Sequence, residues 1–213
     1  MTIENFYDGV LKSAQGKESF AENGWNSRRS QYRRFAIASA DLGVQSGDSL
    51  LDIGCGNADL FWYLNNVGID VNYTGLDIVP KMVELAKVSL QNQSRAFVEV
   101  GHFVDNPHHQ HEGMYDYLVC IGTIGAIVGN SLERWEYASQ LVKQGLETAD
   151  RGMAITFLTN RDGKKTDDGY HWFVSLETVV EIMNRIVPKN VGMVVRADYH
   201  PHDVMFLLKH NSF

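Results

Sequence analysis

Two apolar runs near the end of the chain, residues 191–198 and 203–209, are separated only by the stretch from Tyr199 through His200, Pro201 and His202 to Asp203. A parallel crossover needs about a dozen residues, so these runs can pair only as an antiparallel hairpin. Everything upstream follows another rule. Strand-length apolar runs at 48–53, 71–76, 96–100, 115–121 and 153–158 alternate with helically spaced segments at 58–67, from Pro80 onward, at 131–149 and at 175–187. Pro80 stands in the first turn of its helix, where a missing amide hydrogen costs little. Strands alternating with helices imply a parallel sheet covered on both faces, and right-handed crossovers leave few topologies. The expected fold is therefore α/β, with a seven-stranded, mostly parallel sheet that ends in an antiparallel C-terminal strand. Helices at 2–13 and 27–42 precede this pattern. They make residues 1–45 an N-terminal helical cap on a core of residues 46–213. No repeat, low-complexity tract or linker interrupts the chain, so one domain is expected over 1–213.

Composition excludes several classes of function. The chain has 213 residues, 44% hydrophobic and 21% charged, enough to bury a core without disulfides or structural metal. Its 26 acidic and 19 basic residues give a formal charge of −7, which repels polyanions, so DNA is not expected as a partner. The one dense basic group, Arg28, Arg29, Arg33 and Arg34, reads as the solvated face of a helix. No apolar run approaches the roughly 18 residues of a membrane span, and Met1–Asn5 has no signal-peptide character. A cytoplasmic protein is expected, with Cys55 and Cys120 as reduced thiols. His102, His108, His109 and His111 surround Pro107, while His200 and His202 flank Pro201. These read as loop and turn residues, and no metal site is expected. The hairpin end can still reach a pocket rim, which leaves His200 and His202 as candidate general bases.

The most informative segment runs from Leu50 to Asp59, with Asp52, Gly54, Cys55 and Gly56 at its centre. Two glycines let the backbone turn sharply and approach a ligand, and the helix that follows points unpaired amides at the crevice. The third glycine of a dinucleotide fingerprint is absent: residue 59 is Asp, which suits a pyrophosphate badly. No Gly-Lys-Ser/Thr follows, so a phosphate-binding P-loop is excluded. Asp77 ends the next strand, about 20 residues beyond the glycines, where a carboxylate can accept hydrogen bonds from both ribose hydroxyls. It can also cap the helix that starts at Pro80, and the two roles are compatible.

With these residues the chain resembles the class I S-adenosylmethionine-dependent methyltransferases, in particular small bacterial and phage members. Their acidic-x-Gly-x-Gly motif is matched by Asp52–Gly56, their second-strand acid by Asp77, and their antiparallel last strand by the terminal hairpin. The resemblance implies a Rossmann-like three-layer αβα sandwich, S-adenosylmethionine as cofactor, and methyl transfer as the activity. It also implies roles. Gly54, Cys55 and Gly56 would pass beneath the methionine part, and Asp52 would help hold the amino group. Asp77 would bind the ribose and Ile78 would pack on the adenine. His102 and Phe103 stand where the family has an acid and an apolar residue near the adenine amino group. Ile121 would line the floor beside the sulfonium with Thr123, and Arg34 could pair with the cofactor carboxylate or an acidic substrate.

The segment after the fourth strand, Ile121 to Ala126, lacks the proline and aromatic of the adenine and amide methylases, so a flipped base is unsupported. A small-molecule acceptor is expected instead, bordered by Trp25, Tyr32, Thr123 and Tyr170. Two further readings use the same residues. One is a cofactor-binding sensor or partner subunit without transferase activity, motivated by His102 and the missing third glycine. The other is a protein or RNA methyltransferase, which the net charge opposes.

Overall fold

The structure, a computed structural model, describes residues 3–105, 109, 114–126, 130–161 and 171–210. Three helices open the chain: α1 (Ile3–Ala14), the short α2 (Ser19–Glu22) and α3 (Arg28–Leu42). Alternation follows through β1 (Ser49–Ile53), α4 (Asp59–Asn66), β2 (Asn72–Asp77), α5 (Pro80–Ser89), β3 (Ala96–Val100) and β4 (Tyr115–Cys120). The chain continues with α6 (Ser131–Thr148), β5 (Ala149–Thr159), β6 (Phe173–Val174), α7 (Leu176–Ile186), β7 (Val191–Arg196) and β8 (Asp203–His210). Short 3₁₀ turns occupy Phe103–Asp105 and Ile124–Ala126.

The sheet order is β3-β2-β1-β4-β5-β8-β7, with β6 beside β5. The strands β1 to β5 pair in parallel, and β8 runs antiparallel to both of its neighbours. The expected Rossmann-like sandwich with its reversed C-terminal strand is the fold observed. It carries one more strand than the sequence pattern gives, because the two residues of β6 are too few to show a period. For the same reason α2 escapes a reading by periodicity.

Period-two alternation sorts each strand between two cores. In β8, Val204, Phe206 and Leu208 join one cluster, while Met205 and Leu207 join the other. The first cluster lies under α6 and α7, and the second under α3, α4 and α5. Helix ends follow local chemistry. The Ser27 side chain accepts from the Ser30 amide at 3.2 Å to start α3, and Gly43, with φ of 86°, ends it. A reciprocal capping box of Asn130 and Glu133 opens α6.

The arginine-rich face of α3 does not behave as a unit. Arg28 is exposed and pairs with Glu18, but Arg34 is only 3% exposed. Helical geometry explains the split, since Gln31, Arg34, Phe35 and Ala38 share the stripe that packs on the sheet. Among the described residues no helix is long and apolar enough to cross a membrane.

Candidate active site

Strand order reverses between β1 and β4, which opens a crevice at the carboxyl ends of the parallel strands. The loop from β1 to α4 fills its edge. Gly54 and Gly56 have φ of 74° and 56°. A Cβ on Gly54 would lie 2.0 Å from Thr123 Oγ1, and one on Gly56 would lie 2.1 Å from Asn23 Oδ1. Left-handed backbone and occupied space therefore both demand glycine here. Ala58 is also left-handed, with φ of 66°, at a cost of about 1–2 kcal/mol. It is wholly buried at the start of α4, so the packing around it holds the strain.

Asp77 ties this loop to the next crossover. One carboxylate oxygen accepts from the Gly56 amide at 2.9 Å, and the other accepts from the Val79 amide at 2.9 Å. Burial raises its pKa, while these amide bonds oppose the rise. Asp52 accepts from the Tyr73 hydroxyl at 2.6 Å. Burial pushes its carboxyl from 3.8 to about 7, Tyr73 pulls it back, and the charge of Asp77 adds to the rise. The free thiols Cys55 and Cys120 are raised as well, Cys120 to about 12, chiefly by burial. Neither is an activated nucleophile.

The N-terminal helices close over the loop through amide side chains. Asn23 donates to Asn57 Oδ1 at 2.6 Å and to Asp59 Oδ2 at 3.1 Å, and it accepts from the Asn57 amide at 3.1 Å. Gln31 donates to Asp59 at 2.9 Å, while its Oε1, buried beside the cavity, has no hydrogen-bond partner among the described residues. The α1 residues Phe6 and Tyr7 complete this side, and Lys81 of α5 approaches Asp8 to 3.5 Å.

The cavity, partly open to solvent, measures about 520 Å³. Its floor is Ile121–Thr123. The Gly122 amide donates to Thr156 Oγ1 at 2.8 Å, and Thr123 Oγ1 donates to the Ile53 carbonyl at 3.0 Å. At the far end Arg34 forms a buried ion pair with Asp203, whose carboxyl is pushed up to about 6 by burial against the pull of Arg34. Arg161 donates to the carbonyls of Ala197, His200, Pro201 and Asp203, which fixes the turn between β7 and β8.

Of the residues singled out in the sequence, Asp52, Gly54, Cys55, Gly56, Asp77, Ile121, Thr123, Trp25, Arg34, His200 and His202 all border this cavity. Five described ones do not. Ile78 is 43% exposed beyond the rim, and Phe103 is 1% exposed in the core beneath α6. His102 approaches Asp105 at 3.0 Å, and its ring lies tilted 5.0 Å from that of Tyr137. Tyr32 turns outward onto Tyr63 and Phe35, because it lies a quarter turn from Gln31 on α3. Tyr170, His108 and His111 lie outside the described residues. His109 sits between Tyr115 and Glu99, away from the cavity. Sequence reasoning gave no role at the cavity to Asn23, Thr156 or Asp203, whose partners lie far along the chain and leave no local signal.

Three carboxylates, Asp52, Asp59 and Asp77, border one end of the cavity beside an orphaned amide oxygen and close to the glycine loop. Such a donor set favours a cationic nucleoside over a pyrophosphate and fits a sulfonium-bearing adenosine cofactor on a methyltransferase-type sheet. A methyltransferase-domain family model matches residues 51–145. A Mycobacterium tuberculosis protein, Rv1506c, a methyltransferase by name, is 25% identical over 167 residues, covering 77% of this chain and 94% of the relative. Magnesium protoporphyrin IX methyltransferase from Synechocystis PCC 6803 with bound SAH superposes with a TM-score of 0.65 at 15% identity, covering 98% of this chain and 96% of that one. The [4+2]-cyclase SpnF superposes at 0.71 with 10% identity, covering 99% and 96%. Residues 51–145 thus match a methyltransferase domain, on a fold shared with S-adenosylmethionine-dependent methyltransferases.

Proposed function

We propose that the protein methylates a small-molecule acceptor by in-line displacement, with residues 1–45 acting as a cap on the 46–213 core of a single domain. The carrying observation is a cavity of about 520 Å³, partly open to solvent, that runs from the acidic end past Gly122 to the terminal hairpin. That volume lies within the range of small-ligand sites, and Phe6 and Tyr7 of α1 with Trp25 form part of its wall. The free, buried thiols fit a reducing compartment, and we assign the protein to the cytoplasm.

Each residue then has a definable task. Both oxygens of Asp77 keep a lone pair beyond their amide bonds, enough to accept two ribose hydroxyls. Asp52 and Gln31 Oε1 offer acceptors to an ammonium group. When bound, S-adenosylmethionine supplies an already activated methyl group, so the protein's main work is alignment and exclusion of water. Gly122 and Thr123 form the floor on which that alignment rests. His200 is poorly suited to be a base: its Nδ1 accepts from the His202 amide at 3.2 Å, which leaves the proton on Nε2. It serves as a donor.

Calorimetric titration tests the reading. S-adenosylmethionine and S-adenosylhomocysteine should both bind the wild-type protein, and the absence of heat at up to about a millimolar would refute it.

A further inference from the structure

The two ends of the cavity differ in kind. The β1 end carries carboxylates, whereas the β8 end is built around a buried guanidinium. Trp25 joins them: a Cβ on Gly122 would lie 2.7 Å from its indole, and the Arg34 guanidinium carbon lies 4.8 Å from its ring centroid. Arg34 is thus one indole width beyond the floor. Its partner Asp203 begins β8, three strands and about 14 Å across the sheet from β1. That places the guanidinium on the acceptor side of Gly122, away from the glycine loop.

The guanidinium is held as a fixed fork. Nε donates to Asp203, and Nη1 donates to the Ser30 carbonyl at 2.8 Å and to Ser30 Oγ at 2.7 Å. Tyr199 lies 5.6 Å away on another side. Nη2 has no hydrogen-bond partner among the described residues, in a side chain that is 3% exposed and borders the cavity. His200 borders the same end, with its Nε2 proton available. Burial and the charge of Arg34 hold its pKa down at about 4, so it is a neutral donor at physiological pH. Two donors without described acceptors thus border the same end of a pocket whose other walls include Leu158, Phe173 and Phe6. The raised pKa of Asp203 eases the approach of a second negative charge, since that carboxyl can take up a proton.

Resting on the transferase reading, we propose that Arg34 and His200 form an acceptor subsite for a carboxylate. The acceptor is then a small acid with an apolar body, gripped at the hairpin end, with its nucleophile directed past Trp25 toward Gly122.

Titrations into protein saturated with S-adenosylhomocysteine test this. The probes are benzoate, phenylacetate and hexanoate, each compared with its amide. At least one acid should bind tenfold or more tightly than its amide. That preference should vanish in Arg34→Gln/Asp203→Asn, which removes both charges and leaves no buried carboxylate unpaired. It should shrink severalfold in His200→Ala, a partly buried turn position whose folding is checked by its melting curve. S-adenosylhomocysteine affinity should stay within about twofold of wild type in both variants. Equal binding of acids and amides, or binding of neither, would overturn the subsite. So would a tenfold loss of S-adenosylhomocysteine affinity in the double variant, which would give Arg34 to the cofactor carboxylate. Failure of the wild type to bind S-adenosylhomocysteine would instead overturn the transferase reading beneath it.

Discussion

On the proposed assignment Asp52 links stability to cofactor binding, and replacing it with asparagine separates the two. In the empty protein burial raises its carboxyl from 3.8 to about 7, with Asp77 adding to the rise. A carboxyl whose folded pKa lies above its unfolded value holds its proton better in the folded state. Its stabilising contribution is complete below the unfolded value and is lost as pH climbs from about 4 to about 7. Above that window the ionised form costs about 4 kcal/mol relative to an exposed carboxylate. Asp52→Asn removes this cost and keeps an acceptor for the Tyr73 hydroxyl, but it buries an amide NH₂ that costs about 1–3 kcal/mol. A net gain of about 1–3 kcal/mol at pH 8 remains, equivalent to about 2–10 °C in Tm for a chain of this size. Thermal scans of the empty protein at pH 5.5 and pH 8 should show the variant gaining at pH 8 and little at pH 5.5. S-adenosylhomocysteine should bind the variant about 10- to 100-fold more weakly, because a charge-assisted bond to its ammonium group is gone. For the wild type, affinity should rise with pH toward about 7 as Asp52 ionises. A variant that melts lower at pH 8 and binds S-adenosylhomocysteine as tightly as wild type would refute this reasoning.

Other positions give sharper single outcomes. Gly54→Ala places a methyl 2.0 Å from Thr123 Oγ1 on backbone with φ of 74°, so it should cost about 1–3 kcal/mol of stability and most of the cofactor affinity, read by chemical denaturation and calorimetry. Ala58→Gly relieves left-handed strain and should leave stability equal or raised by up to about 1 kcal/mol in the same denaturation assay, with a clear loss counting against the strain argument. Asn23→Ala removes the bridge to Asn57 and Asp59, and hydrogen exchange at residues 54–59 should accelerate by tenfold or more in the empty protein.

How much of this was legible in the sequence follows from how local each cause is. The strands could be read because Val204, Phe206 and Leu208 alternate with Met205 and Leu207, and alternation is a local property. The hairpin followed from chain length alone, and the glycines and Asp77 from their place at strand ends. Arg34 was partly misread, since four arginines on a helix look solvated until a carboxylate 169 residues away is folded against one of them. Asn23 reaches its partners across 34 and 36 residues with no pattern to announce it. Phe103 and Ile78 were assigned to the adenine from their positions in the family motif. In the fold Phe103 is buried in the core, whereas Ile78 is exposed directly after Asp77, which leaves its assignment a proposal.

The most direct test of the account is a crystal structure of the protein with S-adenosylhomocysteine. It should show both ribose hydroxyls within hydrogen-bonding distance of Asp77 and the sulfur above Gly122, facing the chamber that ends at Arg34. A ligand whose ribose lies away from Asp77, or whose sulfur faces closed protein instead of that chamber, would contradict it.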